Sequence, residues 1–436
     1  MVQSFAAHIQ TLQRQVEETL SLLEPEGIRI DAVLFHSGTE GVYFGDDKHI
    51  PFEAHAHYMR WVPVARPDQM VLVQPHKKPR YFQVVPTDFW YEQTFNVASW
   101  WADSFEVVPL SDPNQIMDLL PSNRRIAFMG ENTAFASQMG LPSNLHNERH
   151  LRNRLDYHRS VKTPFEVEQI RIANQHALKG HEAAHQAFMA GKSEWGIHMD
   201  YLLAAGMTEF DTPYTNIVAV NEKSAILHYQ NKRMTNPGQN HLLLIDAGHR
   251  ANGYCSDITR TYTQDSVHPV MTALCEGVNK LQLHLVDQVR PGISYIELHE
   301  QAHAGILDLL LEHDVVRGSR SQLEEDKVSS LFYPHGTGHL LGLQVHDVSG
   351  HFKDETGILA PPPEDHKFLR LTRQMEPGMV FTVEPGLYFI PVLLDPKRND
   401  TNTFNWSLID QLIPFGGIRI EDNILVTEQG QTNLTR

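Results

Sequence analysis

Asp246, Asp257, His339, Glu384 and Glu421 form an ordered set of four carboxylates and one imidazole, the donor types that hold hard or borderline divalent cations. The first two lie in Leu242-Leu243-Leu244-Ile245-Asp246-Ala247-Gly248 and Cys255-Ser256-Asp257-Ile258-Thr259-Arg260, with Ala251-Asn252-Gly253-Tyr254 between them. An apolar run ends in an aspartate, an Asn-Gly turn follows, and a second β-rich run carries another aspartate. That pattern signals a hairpin and predicts Asp246 and Asp257 side by side. Two carboxylates so placed repel unless one is protonated or a cation bridges them. Singly, each aspartate is as well explained by satisfying its own turn; the pair points to a site.

A second cluster runs Phe332-Tyr333-Pro334-His335-Gly336-Thr337-Gly338-His339 and on to Gly342-Leu343-Gln344-Val345-His346-Asp347. Three histidines gather around a turn whose glycines permit close backbone approach. The Walker spacing and its lysine are absent, so this is not a phosphate loop. Glu384 ends the β-branched run Phe381-Thr382-Val383 and precedes Pro385-Gly386. Arg419 and Glu421 alternate with Ile418 and Ile420, which puts both polar side chains on one strand face. Together the set suits two divalent ions sharing carboxylates, with Mn²⁺, Co²⁺, Mg²⁺ or Zn²⁺ favoured over thiolate-seeking metals. Paired ions about 3.5–4 Å apart hold a hydroxide between them and polarise a carbonyl, which is the chemistry of acyl or phosphoryl hydrolysis.

These residues need strands to carry them. Strands are expected at 31–35, 70–74, 80–85 and 125–129, with helices between, an α/β pattern without a chemical motif of its own. Before them Phe5, Ile9, Leu12, Val16, Leu20 and Leu23 recur at helical spacing. Thr163-Pro164-Phe165-Glu166 is a capping box with proline at the first helical position, and that helix is expected to end near Gly191. Ser193-Glu194-Trp195 opens another. Beyond residue 211 the sequence turns to strands and tight turns, with helices near 268–288 and 294–313. The chain therefore divides into 1–160 and 161–436.

Length and composition agree with two soluble domains: 436 residues, 41% hydrophobic and 20% charged. No stretch reaches the roughly 20 apolar residues of a membrane span, and the N-terminus lacks the basic start and apolar centre of a signal peptide. A net charge of −17 argues against nucleic acid. Two cysteines make no disulfide framework, which fits a cytoplasmic location.

At these motifs the sequence resembles the pita-bread metallopeptidases, and within them the bacterial Xaa-Pro dipeptidases, or prolidases, and the similar organophosphorus acid anhydrolases. The likeness covers nearly the whole chain: His36-Ser37-Gly38, Asp46-Asp47 and Thr87 to Trp90 early on, then Asp211 to Tyr214, Leu227-His228-Tyr229 and the segments around the five ligands. It implies an α+β protein, with an N-terminal α/β domain and a C-terminal pita-bread catalytic domain. It implies two metal ions per subunit, most of all Mn²⁺, with Asp246 on one ion, His339 and Glu384 on the other, and Asp257 and Glu421 bridging. Glu384 would also be the general base. His228 and His346 resemble catalytic histidines, and His335 a supporting one. Arg370 resembles the arginine that grips the dipeptide carboxylate, Arg419 one that orients the bridging glutamate, and Tyr214 a pocket wall. Asp47 resembles an acid that receives the substrate amine across a homodimer. The implied reaction is hydrolysis of Xaa-Pro dipeptides, with organophosphate esters as a side substrate. An aminopeptidase P-like enzyme and a non-catalytic binding module are the alternatives; the second normally lacks ligands that this chain keeps. Residues 391–405 are shorter and more polar than in the bacterial group.

Overall fold

The computed structural model describes residues 1–90, 99–122, 124–208, 210–239 and 241–436. They form two compact units. The first is Met1–Arg159 with Thr163–Glu166 and Asp354–Ile358; the second is Ser160–Lys162, Val167–Lys353 and Leu359–Arg436.

In the first unit the helix Val2–Leu23 buries the whole apolar stripe read from the sequence. A five-stranded sheet follows, formed by β1 (Ala32–His36), β2 (Met70–Val73), β3 (Arg80–Val84), β4 (Glu106–Leu110) and β5 (Ile126–Met129) in the order β4-β3-β2-β1-β5. β1 and β3 run antiparallel to β2, whereas β5 and β4 join as parallel outer strands. Four of the five lie where they are expected. β4 is not among the expected strands, and it contains Pro109. It lies at the sheet edge, where a missing N–H is tolerated. Leu34, Leu72, Phe82, Ile126 and Phe128 centre the core on one face.

In the second unit β6 (Ile217–Val220), β7 (Leu242–Asp246) and β10 (Thr259–Thr263) form an antiparallel sheet in the order β10-β7-β6. Between β7 and β10 stands a small ladder of β8 (Arg250–Ala251) and β9 (Tyr254–Cys255). Its tip is Asn252-Gly253 with φ 48° and 90°, the two positive values that a tight hairpin turn demands. The register corrects the expected pairing. Asp246 stands opposite Thr259, and Asp257 lies two residues before it, off the ladder. The ladder continues one step further, where the Ala247 N–H donates to the Ile258 carbonyl.

β11 (Val380–Val383), β14 (Asp422–Val426) and β15 (Gln431–Asn433) make a second sheet in the order β11-β14-β15, and β12 (Gly386–Tyr388) pairs with β13 (Gly417–Arg419). Single bridges join Thr259 to Glu421 and Leu340 to Phe381, tying these strands around one centre. Helices Pro269–Asp287 and Tyr295–Glu312 bury Leu274, Val278, Leu298, Ala302 and Ile306 in the large core of this unit. The helix Pro164–Met189 opens as its sequence predicts. The Thr163 N–H donates to the Glu166 carboxylate at 2.8 Å, and the Glu166 N–H to Thr163 Oγ1 at 3.4 Å. Among the described residues no helix is long and apolar enough to cross a membrane.

Candidate metal centre

β7 delivers Asp246 at its last residue, and its carboxylate is only half taken up. Arg419 Nη2 donates to Oδ2 at 2.6 Å, while Oδ1 is buried with no hydrogen-bond partner. Burial and the nearby Asp257 charge push its pKa up against the pull of Arg419. Asp257 receives the Tyr214 hydroxyl on Oδ1 at 2.5 Å and lies 3.4 Å from His339 Nε2 through Oδ2. Its backbone is clasped by the Asn423 side chain, which both accepts from the Asp257 N–H and donates to its carbonyl.

His339 is aimed by its other nitrogen. Nδ1 lies 3.0 Å from the Leu340 carbonyl, an acceptor only, so Nδ1 carries the proton. Nε2 then faces Asp257 Oδ2 and, at 3.7 Å, Glu384 Oε1. A lone pair facing two carboxylates needs a cation between them or a second proton on the ring. In the metal-free protein those carboxylates raise the His339 pKa against desolvation. The adjacent Gly338 is required by packing: a Cβ there would stand 2.2 Å from the Thr382 carbonyl oxygen.

Glu384 follows β11, anchored by its N–H to the Thr337 carbonyl at 2.8 Å. Desolvation raises its carboxyl to about 7. Glu421 accepts the Thr259 hydroxyl at 2.7 Å and is 2% exposed. Burial, followed by the charges of Asp257, Glu384 and Asp246, lifts its pKa well above the ordinary value. One oxygen or nitrogen from each of Asp257, His339 and Glu421 falls within 4.8 Å of the others.

Arg419 is 4% exposed and bonds Asp246, the Tyr388 hydroxyl at 3.0 Å and Thr259 Oγ1 at 3.2 Å. It therefore holds Asp246 rather than Glu421, and does so from within the strands. Tyr388, Thr259, Thr382 and Asn423 support the centre without any mark in the sequence that singles them out; each is an ordinary strand residue whose role depends on register.

The remaining candidates differ in depth. Tyr214 is half-buried on Asp257. His335 places Nδ1 2.8 Å from the Gly336 carbonyl and Nε2 2.8 Å from the Tyr388 hydroxyl, and burial drops its pKa to about 3. His346 is exposed with its ring edge-on to His339 at 4.4 Å, and its pKa falls to about 3, chiefly by desolvation and then by His339 and Arg370. Exposed His228 is near enough for its charge to be felt at both His335 and His346. Arg370 is exposed. Asp47 belongs to the first unit, exposed in a turn where Asp46 Oδ1 caps its N–H at 2.8 Å.

Four carboxylates, buried Asp257 and Glu421 and half-buried Asp246 and Glu384, thus meet one guanidinium and one imidazole, an excess of negative charge that a divalent cation set would neutralise. The donors fit such ions: Asp246 Oδ1 is an unpartnered oxygen, and the His339 tautomer presents a bare nitrogen.

Residues 168–428 match the model of metallopeptidase family M24, and residues 3–157 that of the Xaa-Pro dipeptidase N-terminal domain. Over 442 residues the chain is 41% identical to a Xaa-Pro dipeptidase of Pseudoalteromonas atlantica, covering 100% of this chain and 98% of that one. A Xaa-Pro dipeptidase of Shewanella amazonensis is likewise 41% identical, with 99% and 97% covered. Among solved structures, aminopeptidase PepP of Pseudomonas aeruginosa superposes with a TM-score of 0.74 at 21% identity, over 100% of this chain and 95% of that one. Zinc-substituted E. coli aminopeptidase P in complex with product gives 0.74 at 23%, with the same coverage. The fold is that of these enzymes, and the chain belongs to metallopeptidase family M24, in the branch that carries the Xaa-Pro dipeptidase N-terminal domain.

Proposed function

We propose that this protein hydrolyses Xaa-Pro dipeptides at two divalent cations held by Asp246, Asp257, His339, Glu384 and Glu421. The observation that carries this reading is the uncompensated carboxylate cluster, set in a chain 41% identical to dipeptidases over its full length. Bound divalent ions lower the pKa of water toward neutrality and polarise a carbonyl. A ligand set with one imidazole and four carboxylates suits Mn²⁺ first, and Co²⁺, Mg²⁺ or Zn²⁺ next.

The chain's own residues do the rest. Glu384 takes the proton from the attacking water and returns it to the proline nitrogen as that bond breaks. His346, exposed beside His339, and exposed His228 would supply N–H donors to the oxyanion of the tetrahedral intermediate. His335 holds Tyr388, and Tyr388 holds Arg419. Arg370 grips the product-side carboxylate, which sets substrate length because a longer peptide has an amide there. The Xaa-Pro bond itself offers no N–H, so the enzyme reads both chain ends. Asp47 would receive the substrate amine from a second subunit. The exposed Phe44, Phe89 and Trp90 of the same unit are apolar surface of the kind a homodimer covers.

The test is a comparison of Leu-Pro, Leu-Pro-Gly and Leu-Gly with Mn²⁺ present. Leu-Pro should be cleaved well and the other two poorly. Equal rates on Leu-Pro and Leu-Pro-Gly would move the protein to an aminopeptidase P-like activity. A phosphotriester, if hydrolysed, should lose its turnover in parallel with Leu-Pro when the ligands are changed.

A further inference from the structure

A second cluster of metal-binding side chains lies outside the carboxylate centre. His299 and His303 stand one turn apart on one face of the helix Tyr295–Glu312, and His366 closes on them from the short turn Glu364–His366. The ring centroids are 4.6 Å apart for His299 and His303, 4.4 Å for His299 and His366, and 4.9 Å for His303 and His366. One ring nitrogen of each lies within 4.8 Å of the other two. Tetrahedral ligation at about 2.0–2.1 Å needs those nitrogens somewhat closer, a change that side-chain rotation supplies.

Hydroxyls hold two of the rings. His299 Nδ1 is 2.8 Å from Thr337 Oγ1, and His303 Nδ1 is 3.0 Å from Ser329 Oγ. A hydroxyl accepts as well as donates; accepting from Nδ1–H, it leaves Nε2 as the ligand atom and orients the ring as outer partners do in metal sites. Burial drops His299 to about 2 and His303 to about 4, so both are neutral and able to ligate at neutral pH. A cavity of about 250 Å³ reaches the cluster from the surface, lined among others by Glu300, Ser329, Asp365 and His366. The Glu300 and Asp365 carboxylates act on His366 in the sense that favours a cation, and the Lys327 ammonium, paired with Asp365, opposes them.

We propose that His299, His303 and His366 form a separate transition-metal site, taking Zn²⁺ or a similar borderline ion through three imidazoles with the fourth position open to the cavity. It differs in kind from the oxygen-rich centre and would select a softer metal. Its reach extends to the loop of the carboxylate centre. Thr337, which holds His299, lies between His335 and His339, and its carbonyl receives the Glu384 N–H at 2.8 Å. A metal on His299 would therefore brace the backbone that carries two of the proposed catalytic-site ligands.

The test uses full-length protein without a histidine tag, carrying Asp257→Asn and His339→Ala so that the carboxylate centre is disabled. Equilibrium dialysis against Zn²⁺, read by elemental analysis, should leave one Zn²⁺ per chain bound at this site. Adding His366→Gln should weaken binding at least about 10-fold, and Ser329→Ala should weaken it about 10-fold. Retention of no Zn²⁺, or affinity unmoved by His366→Gln, overturns the site. If a variant fails to fold, wild-type crystals soaked in Zn²⁺ decide. Anomalous density among the three rings supports the proposal, and density confined to the carboxylate centre sinks it. The dipeptidase reading is untouched by either result, since it is tested by substrate choice.

Discussion

Glu166 in the first unit and Glu421 in the second are both carboxylates almost cut off from solvent, 0% and 2% exposed. Their surroundings are opposite. Glu166 receives Arg60 through two parallel bonds, Nε to Oε1 at 3.1 Å and Nη2 to Oε2 at 3.2 Å, and the Thr163 N–H as well. His8 stands behind it, 4.0 Å away. Glu421 receives one hydroxyl and shares its space with the charges of Asp257, Glu384 and Asp246. The next residue sharpens the contrast. Asp422 points the other way from the strand and is met by Arg260 at 2.7 Å and Arg436 at 2.6 Å, so its pKa falls below the usual range despite burial. Burying an unneutralised charge is costly. The chain neutralises buried carboxylates where only stability is served, and leaves them in excess where a cation is to be bound.

The largest effect should come from Glu384→Gln. It keeps the shape and removes the base, and turnover of Leu-Pro should fall by at least about 10³-fold while circular dichroism and melting stay near wild type. Residual turnover within tenfold of wild type would remove Glu384 from the role of base.

Glu166→Ala makes the opposite demand. It strands Arg60 in the first unit and should cost about 3–5 kcal/mol of stability, read by denaturant unfolding, with metal stoichiometry unchanged. Glu421→Gln should instead raise the melting temperature of metal-free protein, because it removes one of several repelling charges, and should weaken metal binding. If Glu421→Gln destabilised the metal-free protein as much as Glu166→Ala, the two carboxylates would be equivalent and the contrast would fail.

Acid should act with opposite sign on Glu384 and on the buried histidines when metal is absent. Glu384, raised to about 7, favours folding when protonated, so its contribution grows as pH falls from 7 toward its unfolded value near 4.5. At pH 7 this strain amounts to roughly 3 kcal/mol. His55 in the first unit is lowered to about 3 by burial, and His8 and His57 are lowered too. Their contribution is complete above about 6.5 and is lost as pH falls toward 3, near 2 kcal/mol for His55 alone at pH 5. Histidines of the second unit behave the same way: His181 is lowered to about 3 and His249 to about 4, chiefly by burial. Glu384→Gln therefore isolates the carboxyl. Between pH 7 and 5, metal-free wild type should gain about 2 kcal/mol of stability relative to the variant, while hydrogen exchange in the helix Val2–Leu23 quickens in both. Added Mn²⁺ should abolish the relative gain, because bound metal already neutralises the centre.

Much of this could be read from residue order. The stripe Phe5 to Leu23, the capping box at Thr163 and the Asn-Gly turn are local patterns, and each forms the element it signals. The candidate ligands stood out because carboxylates at strand ends are poor packing residues. What escaped was register. Nothing local tells that Asp246 faces Thr259, that Asn423 clasps the Asp257 backbone, or that Arg419 bonds Asp246. The three-histidine cluster escaped for a related reason. His299 and His303 read as two histidines of an amphipathic helix, and His366 is 63 residues beyond His303, brought near only by tertiary packing.

The smallest effect should be at Arg370. Unlike the buried Arg60 and Arg419, it is exposed and offers its guanidinium to solvent or substrate. Arg370→Ala should leave the fold and metal content as they are and raise KM for Leu-Pro about 10-fold, the loss of one charge-assisted contact, with kcat nearly unchanged. Arg370→Lys keeps the charge without the planar fork and should recover only part of the loss. A KM that stayed at the wild-type value in Arg370→Ala would assign the carboxylate grip to another residue. A fall in kcat with KM constant would mean instead that Arg370 acts through its neighbour His346, whose basicity it lowers.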